Sequence, residues 1–298
     1  MSWPAPSAAS PLADPARERF AEVGYLTFER LLDPGVVEAL RAESVGICRG
    51  ERGAFLGAVA GDPSADEAEV LARYQHVYFP HKLSPLLREV LASPPLVAVA
   101  AGLIGPNVKC AQSMLFLKAP GQPGRAWHQD EHYVPTRDRS LVGVWIALDP
   151  ATQETGCLWV LPGSHRRGVV WRHRAHGDPA FDPVHQAAGF PDAEEDAVAI
   201  ELAPGGAVAF HGYLLHRSLP NRHPTRPRRA VSFHYASAET LLPFMGATGP
   251  IGGADCRDVV LVAGEDPLVA EGIADVVTPF AQAAARPGSL AGSGGGAS

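Results

Sequence analysis

The chain has 298 residues and a formal net charge of −7, so nothing in its electrostatics supports nucleic-acid binding. Its 46% hydrophobic content suffices for a sizeable core, and its 31 glycines and 28 prolines, about a fifth of the chain, favour many turns over long helices. No run of about 18 apolar residues and no basic-then-apolar leader is present, which predicts no membrane span and a cytoplasmic protein. The four cysteines, Cys48, Cys110, Cys157 and Cys256, form no CxxC pair and read as buried free thiols.

Residues 1–14 read as a flexible lead and 284–298 as a disordered, glycine-rich tail, with a single domain over 15–283. A helix is expected from Pro15 to Val23, stopped by Gly24, then a strand over Tyr25–Phe28. Asp33-Pro34 opens a second helix that runs to Glu43. Residues 49–66 read as loop and Glu67–Arg73 as a short helical piece. Helices over Ser84–Ala92 and Leu96–Leu103 are separated by Ser93-Pro94-Pro95.

From Val108 the pattern changes to short strands between turns: 108–118, 140–148, 157–161, 198–202, 207–211 and 229–236, with a further strand within 258–264. Residues 165–195 form a long loop. Helices followed by strands, with no βαβ alternation and no phosphate-loop glycines, predict an antiparallel sandwich or barrel carrying N-terminal helices.

The chemistry centres on Trp127-His128-Gln129-Asp130. On a strand, side chains two apart share a face, so His128 and Asp130 converge. His216, after the strand ending at His211, is the best third ligand, with His211 and His234 as alternatives. Two histidines and one carboxylate leave half an octahedron open, as in non-haem Fe(II) oxygenases. His132, four after His128, suggests a zinc pair on a helix, but Gln129 stands where a metalloprotease needs Glu. A buried arginine grips a carboxylate with two parallel hydrogen bonds. Arg228 shares a face with Ala230, Ser232 and His234, and Arg229 with Val231, Phe233 and Tyr235. The small, polar face suits a wet cavity, which favours Arg228. Glu131, His132 and Tyr133 are candidate substrate contacts. The basic stretch 166–174 reads as a solvated loop, with steering of an anionic substrate as its alternative. Trp127 reads as packing.

These residues resemble the phytanoyl-CoA dioxygenase family. The resemblance rests on His128-Gln129-Asp130, on Gly143–Leu148 and Gly156–His165, and on His216 with Ser218, Asn221 and Arg228-Arg229-Ala230. Gly24-Tyr25-Leu26 and Leu31-Leu32 add its opening, so that it spans residues 16–280. It implies a mainly β fold with flanking helices, a double-stranded β-helix (jelly-roll, cupin-like) core. It also implies an Fe(II) enzyme that uses 2-oxoglutarate and O2 to hydroxylate an unactivated C–H bond of a small-molecule metabolite, releasing succinate and CO2. By resemblance His128, Asp130 and His216 are the metal ligands and catalytic centre. Arg228, Ser218, Trp145 and Gln112 bind the co-substrate. Asp130 occupies the position that related halogenases leave open for halide, which favours hydroxylation. Two departures stand out. Arg217 replaces the glycine often found after the distal histidine, and one extra residue before the arginine pair keeps Arg229 in play. The rival readings are a catalytically silent jelly-roll binding protein and a cupin-like zinc or manganese enzyme.

Overall fold

The computed structural model describes residues 12–62, 64–136, 138–240, 242–246, 249–255, 259–271 and 277–284. The expected lead up to residue 11, the tail beyond 284 and Cys256 lie outside them. The helical elements are α1 (Asp14–Val23), α2 (Pro34–Cys48), α3 (Glu67–Ala72), α4 (Pro85–Leu91) and α5 (Pro94–Ile104). The strands are β1 (Tyr25–Phe28), β2 (Tyr74–Tyr78), β3 (Val108–Lys118), β4 (Arg125–His128), β5 (Val142–Ala147), β6 (Leu158–Val160), β7 (His173–Arg174) and β8 (Gln186–Ala187). They continue with β9 (Val198–Ile200), β10 (Ala207–His211), β11 (His216–Ser218), β12 (Arg228–Ser237), β13 (Pro243–Gly246), β14 (Gly249–Asp255), β15 (Val260–Ala263) and β16 (Phe280–Ala283).

The helix ends follow local chemistry. Gly24 closes α1 in the left-handed region (φ 86°) and donates its N–H to Phe20 O. The Ser84 hydroxyl accepts the Leu87 N–H at the start of α4. Helix α2 runs five residues past the expected end at Glu43, because Ile47 and Cys48 are buried and packing carries the last turn past Gly46. The strand over 74–78 is an element the sequence pattern does not announce. Its Tyr-Gln-His-Val-Tyr run follows α3 without a turn residue, and its partners β3 and β16 lie far off in sequence. The long loop 165–195 carries the short β7–β8 pair.

Two antiparallel sheets face each other. The larger has the order β1-β10-β5-β12-β3-β2-β16, with β15 also on β3, and the smaller the order β4-β11-β6-β9. This is a jelly-roll sandwich, and among the described residues its sheets do not close into a barrel. Strand alternation divides the molecule. Val142, Val144 and Ile146 of β5 and Val231, Phe233 and Tyr235 of β12 face outward, where α2, α4 and α5 cover them with Leu40, Leu87, Val90, Leu91 and Leu96. The Tyr235 hydroxyl donates to Leu91 O (2.7 Å) and ties the layers together. Trp145 and Ala147 of β5, Val208 and Phe210 of β10 and Ala230 of β12 face inward against Leu158, Val160 and Ile200 of the small sheet.

Among the described residues no single helix is long and apolar enough to cross a membrane. The pair α4 and α5, bent by 43°, matches a broken span in length and composition, but Leu87, Val90, Leu91, Leu96 and Val99 are buried in the helical layer. Cys48, Cys110 and Cys157 are buried.

Candidate metal centre

Strands β4 and β11 run antiparallel, with His128 directly opposite His216. Their ring centroids are 4.1 Å apart. β4 ends at His128. Gln129 stays extended (φ −128°, ψ 132°) and Asp130 opens a short 3-10 turn, so the alternation that aims Asp130 back at His128 survives the end of the strand. Asp130 Oδ1 lies 3.8 Å from His128 Nε2 and 3.6 Å from His216 Nε2. Ligand atoms of all three lie within 4.8 Å of one another.

The tautomers follow from the partners. Carbonyls only accept, so His128 Nδ1–H donates to Ala126 O (2.8 Å) and His216 Nδ1–H donates to Leu214 O (3.0 Å). Both Nε2 lone pairs then point at the common centre, the arrangement that metal-bound histidines use. Burial pushes both imidazoles below their ordinary range, which keeps them neutral and able to ligate. Burial opposes the charge of Asp130, but His216, His234 and His128 around it outweigh that and hold its carboxyl below the usual range.

His234 lies outside the group of three and partners its carboxylate. Its Nε2–H donates to Asp130 Oδ2 (2.9 Å), leaving Oδ1 to face His128 and His216. His234 therefore orients the carboxylate. Replacing it with alanine is expected to weaken divalent-metal binding about ten- to hundredfold, measured by calorimetric titration. His211 is occupied elsewhere, accepting the Tyr213 N–H (3.0 Å) beside Phe20 and His165.

Gln129 points away from the centre and is fully buried. Its amide donates to Val169 O (2.9 Å) and Tyr213 O (2.7 Å) and accepts the Trp171 N–H (2.8 Å). Trp127 packs with Leu161, Ala187 and Leu215 on the outer side of the small sheet. Arg217 lies over its ring (4.5 Å) and pairs with Glu194 (2.7 Å). The charged residue after the distal histidine thus faces away from the metal centre. Of the three residues after Gln129-Asp130, Tyr133 lines the cavity. Glu131 turns into a buried cluster with Thr136, and His132 stacks on His173 (3.7 Å) within the 3-10 turn. That turn is not the helix a zinc pair with His128 needs.

The triad opens into a cavity of about 300 Å³ between the sheets. Gln112, Trp145, Ser218, Arg228 and His234 line it, with Met114, Phe116, Val134, Leu158 and Phe210 supplying apolar wall. Gln112 on β3 is the register partner of His234. Ser218 lies two residues beyond His216 on the same face of β11, about 6–7 Å along the strand, the order of length of a five-carbon dicarboxylate.

Arg228 is 2% exposed, and its guanidinium lies 5.3 Å from the Trp145 ring centroid. Nη2 donates to Gly156 O (3.2 Å), while buried Nε and Nη1 have no partner among the described residues. Burial without a counter-ion pushes this guanidinium down to about 10. Arg229 faces the other way. It donates twice to Asp149 through its side chain (2.8 and 2.9 Å) and pairs with Glu67. The two adjacent arginines therefore belong to different layers, one holding the fold and one presenting free donors to the cavity.

Sequence reasoning did not single out Lys118, His76 or Arg125. Lys118 is the register partner of Arg228 and is buried. His76 and Arg125 line the cavity, and Arg125 pairs with Asp182 (3.3 Å). Each becomes visible only once strand register is known.

A family model for phytanoyl-CoA dioxygenase matches residues 20–230. A phytanoyl-CoA dioxygenase of Arabidopsis thaliana is 34% identical over 160 residues, covering 53% of this chain and 55% of that protein, so the chain matches about half the relative's length. Among solved structures, the non-haem monooxygenase ThoJ superposes with a TM-score of 0.64 at 23% identity, covering 84% of each chain. EctD from S. alaskensis, with bound Fe, superposes at 0.60 and 22% identity, covering 81% of each chain. These two likenesses speak for the fold, and the family match spans most of the chain, including all three candidate ligands and Arg228. The chain belongs to the phytanoyl-CoA dioxygenase family.

Proposed function

We propose that this protein is a non-haem Fe(II)- and 2-oxoglutarate-dependent dioxygenase that hydroxylates an unactivated C–H bond of a small-molecule substrate. Succinate and CO2 are the co-products. The observation that carries this reading is the sharing of one cavity by a His/His/Asp face and a buried arginine with two free donors.

The residues fit both groups. Two neutral imidazoles and one carboxylate suit Fe(II) and leave coordination positions for co-substrate and O2. Bound there, iron supplies activation of O2 coupled to decarboxylation of 2-oxoglutarate. Arg228 offers the unpartnered Nε–H and Nη1–H on opposite edges of its guanidinium, either of which forms a fork for the distal carboxylate with the Nη2–H that Gly156 O leaves free, and Ser218 adds a hydroxyl. Trp145 backs the guanidinium, and Gln112 contributes an amide beside His234. Val134, Leu158 and Phe210 exclude water around the reacting atoms. Retention of Asp130 fills the third protein position and supports hydroxylation over halide transfer. A silent binding protein would have no use for a complete ligand set, and a simple hydrolase none for the free guanidinium.

The test is anaerobic addition of Fe(II) and 2-oxoglutarate, followed in the visible region for the weak metal-to-ligand charge-transfer band. On admission of air, succinate release should follow. Absence of both the band and 2-oxoglutarate binding would falsify the assignment. Mass spectrometry of products from candidate metabolites then distinguishes hydroxylation from other oxidative outcomes.

A further inference from the structure

Lys118 ends β3 opposite Arg228, the first residue of β12. It is buried but does not line the cavity. Its Nζ donates to Ser218 Oγ (2.8 Å) and to Leu219 O (2.7 Å). Among the described residues no carboxylate lies within ion-pair range of either Lys118 or Arg228, so two buried basic side chains stand side by side without a counter-ion. Burial and the Arg228 charge both push the Lys118 amine well below its ordinary range.

The consequence falls on Ser218. A hydroxyl oxygen has two lone pairs and one hydrogen. Ser218 Oγ accepts from Lys118 Nζ and from the Arg125 backbone N–H (3.3 Å), so both lone pairs are used. Its hydrogen has no acceptor among the described residues, and Ser218 lines the cavity. A serine normally serves as donor or acceptor, and in this position only the donor role remains. With Arg228 Nε and Nη1, this end of the cavity presents donors and no free hydroxyl acceptor.

We propose that Lys118 is a positioning residue that fixes Ser218 as a one-way donor and so makes the Arg228 end of the cavity selective for a carboxylate. Lys118 acts through Ser218 without touching the ligand. The inference rests on the proposed co-substrate, 2-oxoglutarate, whose distal carboxylate would be the one selected. It adds the means by which a 2-oxo acid carrying a second carboxylate is preferred over one ending in a methyl group.

The experiment is calorimetric titration of Ni(II)-loaded protein with 2-oxoglutarate and, separately, with 2-oxobutyrate, which keeps the chelating end and lacks the distal carboxylate. Wild-type protein should prefer 2-oxoglutarate. Lys118→Met should weaken 2-oxoglutarate about tenfold or more, the scale of a hydrogen bond to a charged group, and leave 2-oxobutyrate within about twofold. Ser218→Ala should behave alike, and the double variant should bind no more weakly than Ser218→Ala alone. Three results overturn the proposal: unchanged 2-oxoglutarate affinity in Lys118→Met, equal loss of both acids, or full additivity in the double variant. The second of these marks a general structural role. Equal binding of the two acids by the wild-type protein instead removes 2-oxoglutarate as the co-substrate, and the proposal with it.

Discussion

Asp130→Ala protein is expected to release no succinate above background and to lose Fe(II) affinity by at least about a hundredfold, the loss extending beyond that of disturbing a ligand's partner. Asp130 is the only anion among the three candidate ligands, and without it two neutral imidazoles face a dication. The variant also strands His234, whose Nε2–H donates to Asp130 Oδ2. Asp130→Asn separates these effects. The amide oxygen keeps the shape and still accepts from His234, but the charge is gone. Iron affinity should therefore fall in Asn as in Ala, while thermal stability should stay closer to wild type in Asn. Metal titration and succinate release measure the first, and thermal unfolding the second. Full turnover by Asp130→Ala would remove the metal assignment altogether.

The arginine pair gives the second large effect, and the two members should fail in opposite ways. Arg228→Met removes a cation that leaves no carboxylate unpaired, so the protein should fold with near-native stability. Its 2-oxoglutarate affinity should drop about a hundredfold, roughly 3 kcal/mol, the scale of a bidentate charge-assisted contact. Arg229→Met strips Asp149, 6% exposed, of two side-chain hydrogen bonds. Arg41 remains 3.2 Å from Asp149 and softens the loss, so about 3 kcal/mol of stability should go, the low end for breaking a buried pair. Glu67 is half exposed and adds little. Denaturant midpoints and 2-oxoglutarate titrations on both variants read out the contrast. Loss of stability in Arg228→Met, with co-substrate binding intact, would exchange the roles of the two arginines.

Face alternation explains why this distinction is legible in the sequence alone. On β12 the residues sharing a face with Arg228 are small or polar and those sharing one with Arg229 are large and apolar, and the sheet turns these faces to the cavity and to the helices respectively. The same rule aligns His128 with Asp130, and the turn signals around the short strands point to an antiparallel sandwich. Register is not legible. That His216 lies opposite His128, that His234 reaches Asp130, and that Lys118 lies opposite Arg228 depend on pairings between strands dozens of residues apart. Local pattern carries no record of such pairings. β2 is hidden for a related reason, because its neighbours β3 and β16 make it a strand. The end of α2 lies beyond its expected place because burial of Ile47 and Cys48 outweighs the local preference of Gly46.

Strand β12 also bears on how such a protein changes over generations. Along it Arg228, Ser232 and His234 line the cavity, while the alternating residues Val231, Phe233 and Tyr235 pack into the core beneath the helices. Substitutions at the first set act on the cavity and leave the scaffold's cohesion to the second. The strand thus separates chemistry from durability at single-residue spacing, so damage to one need not carry over to the other.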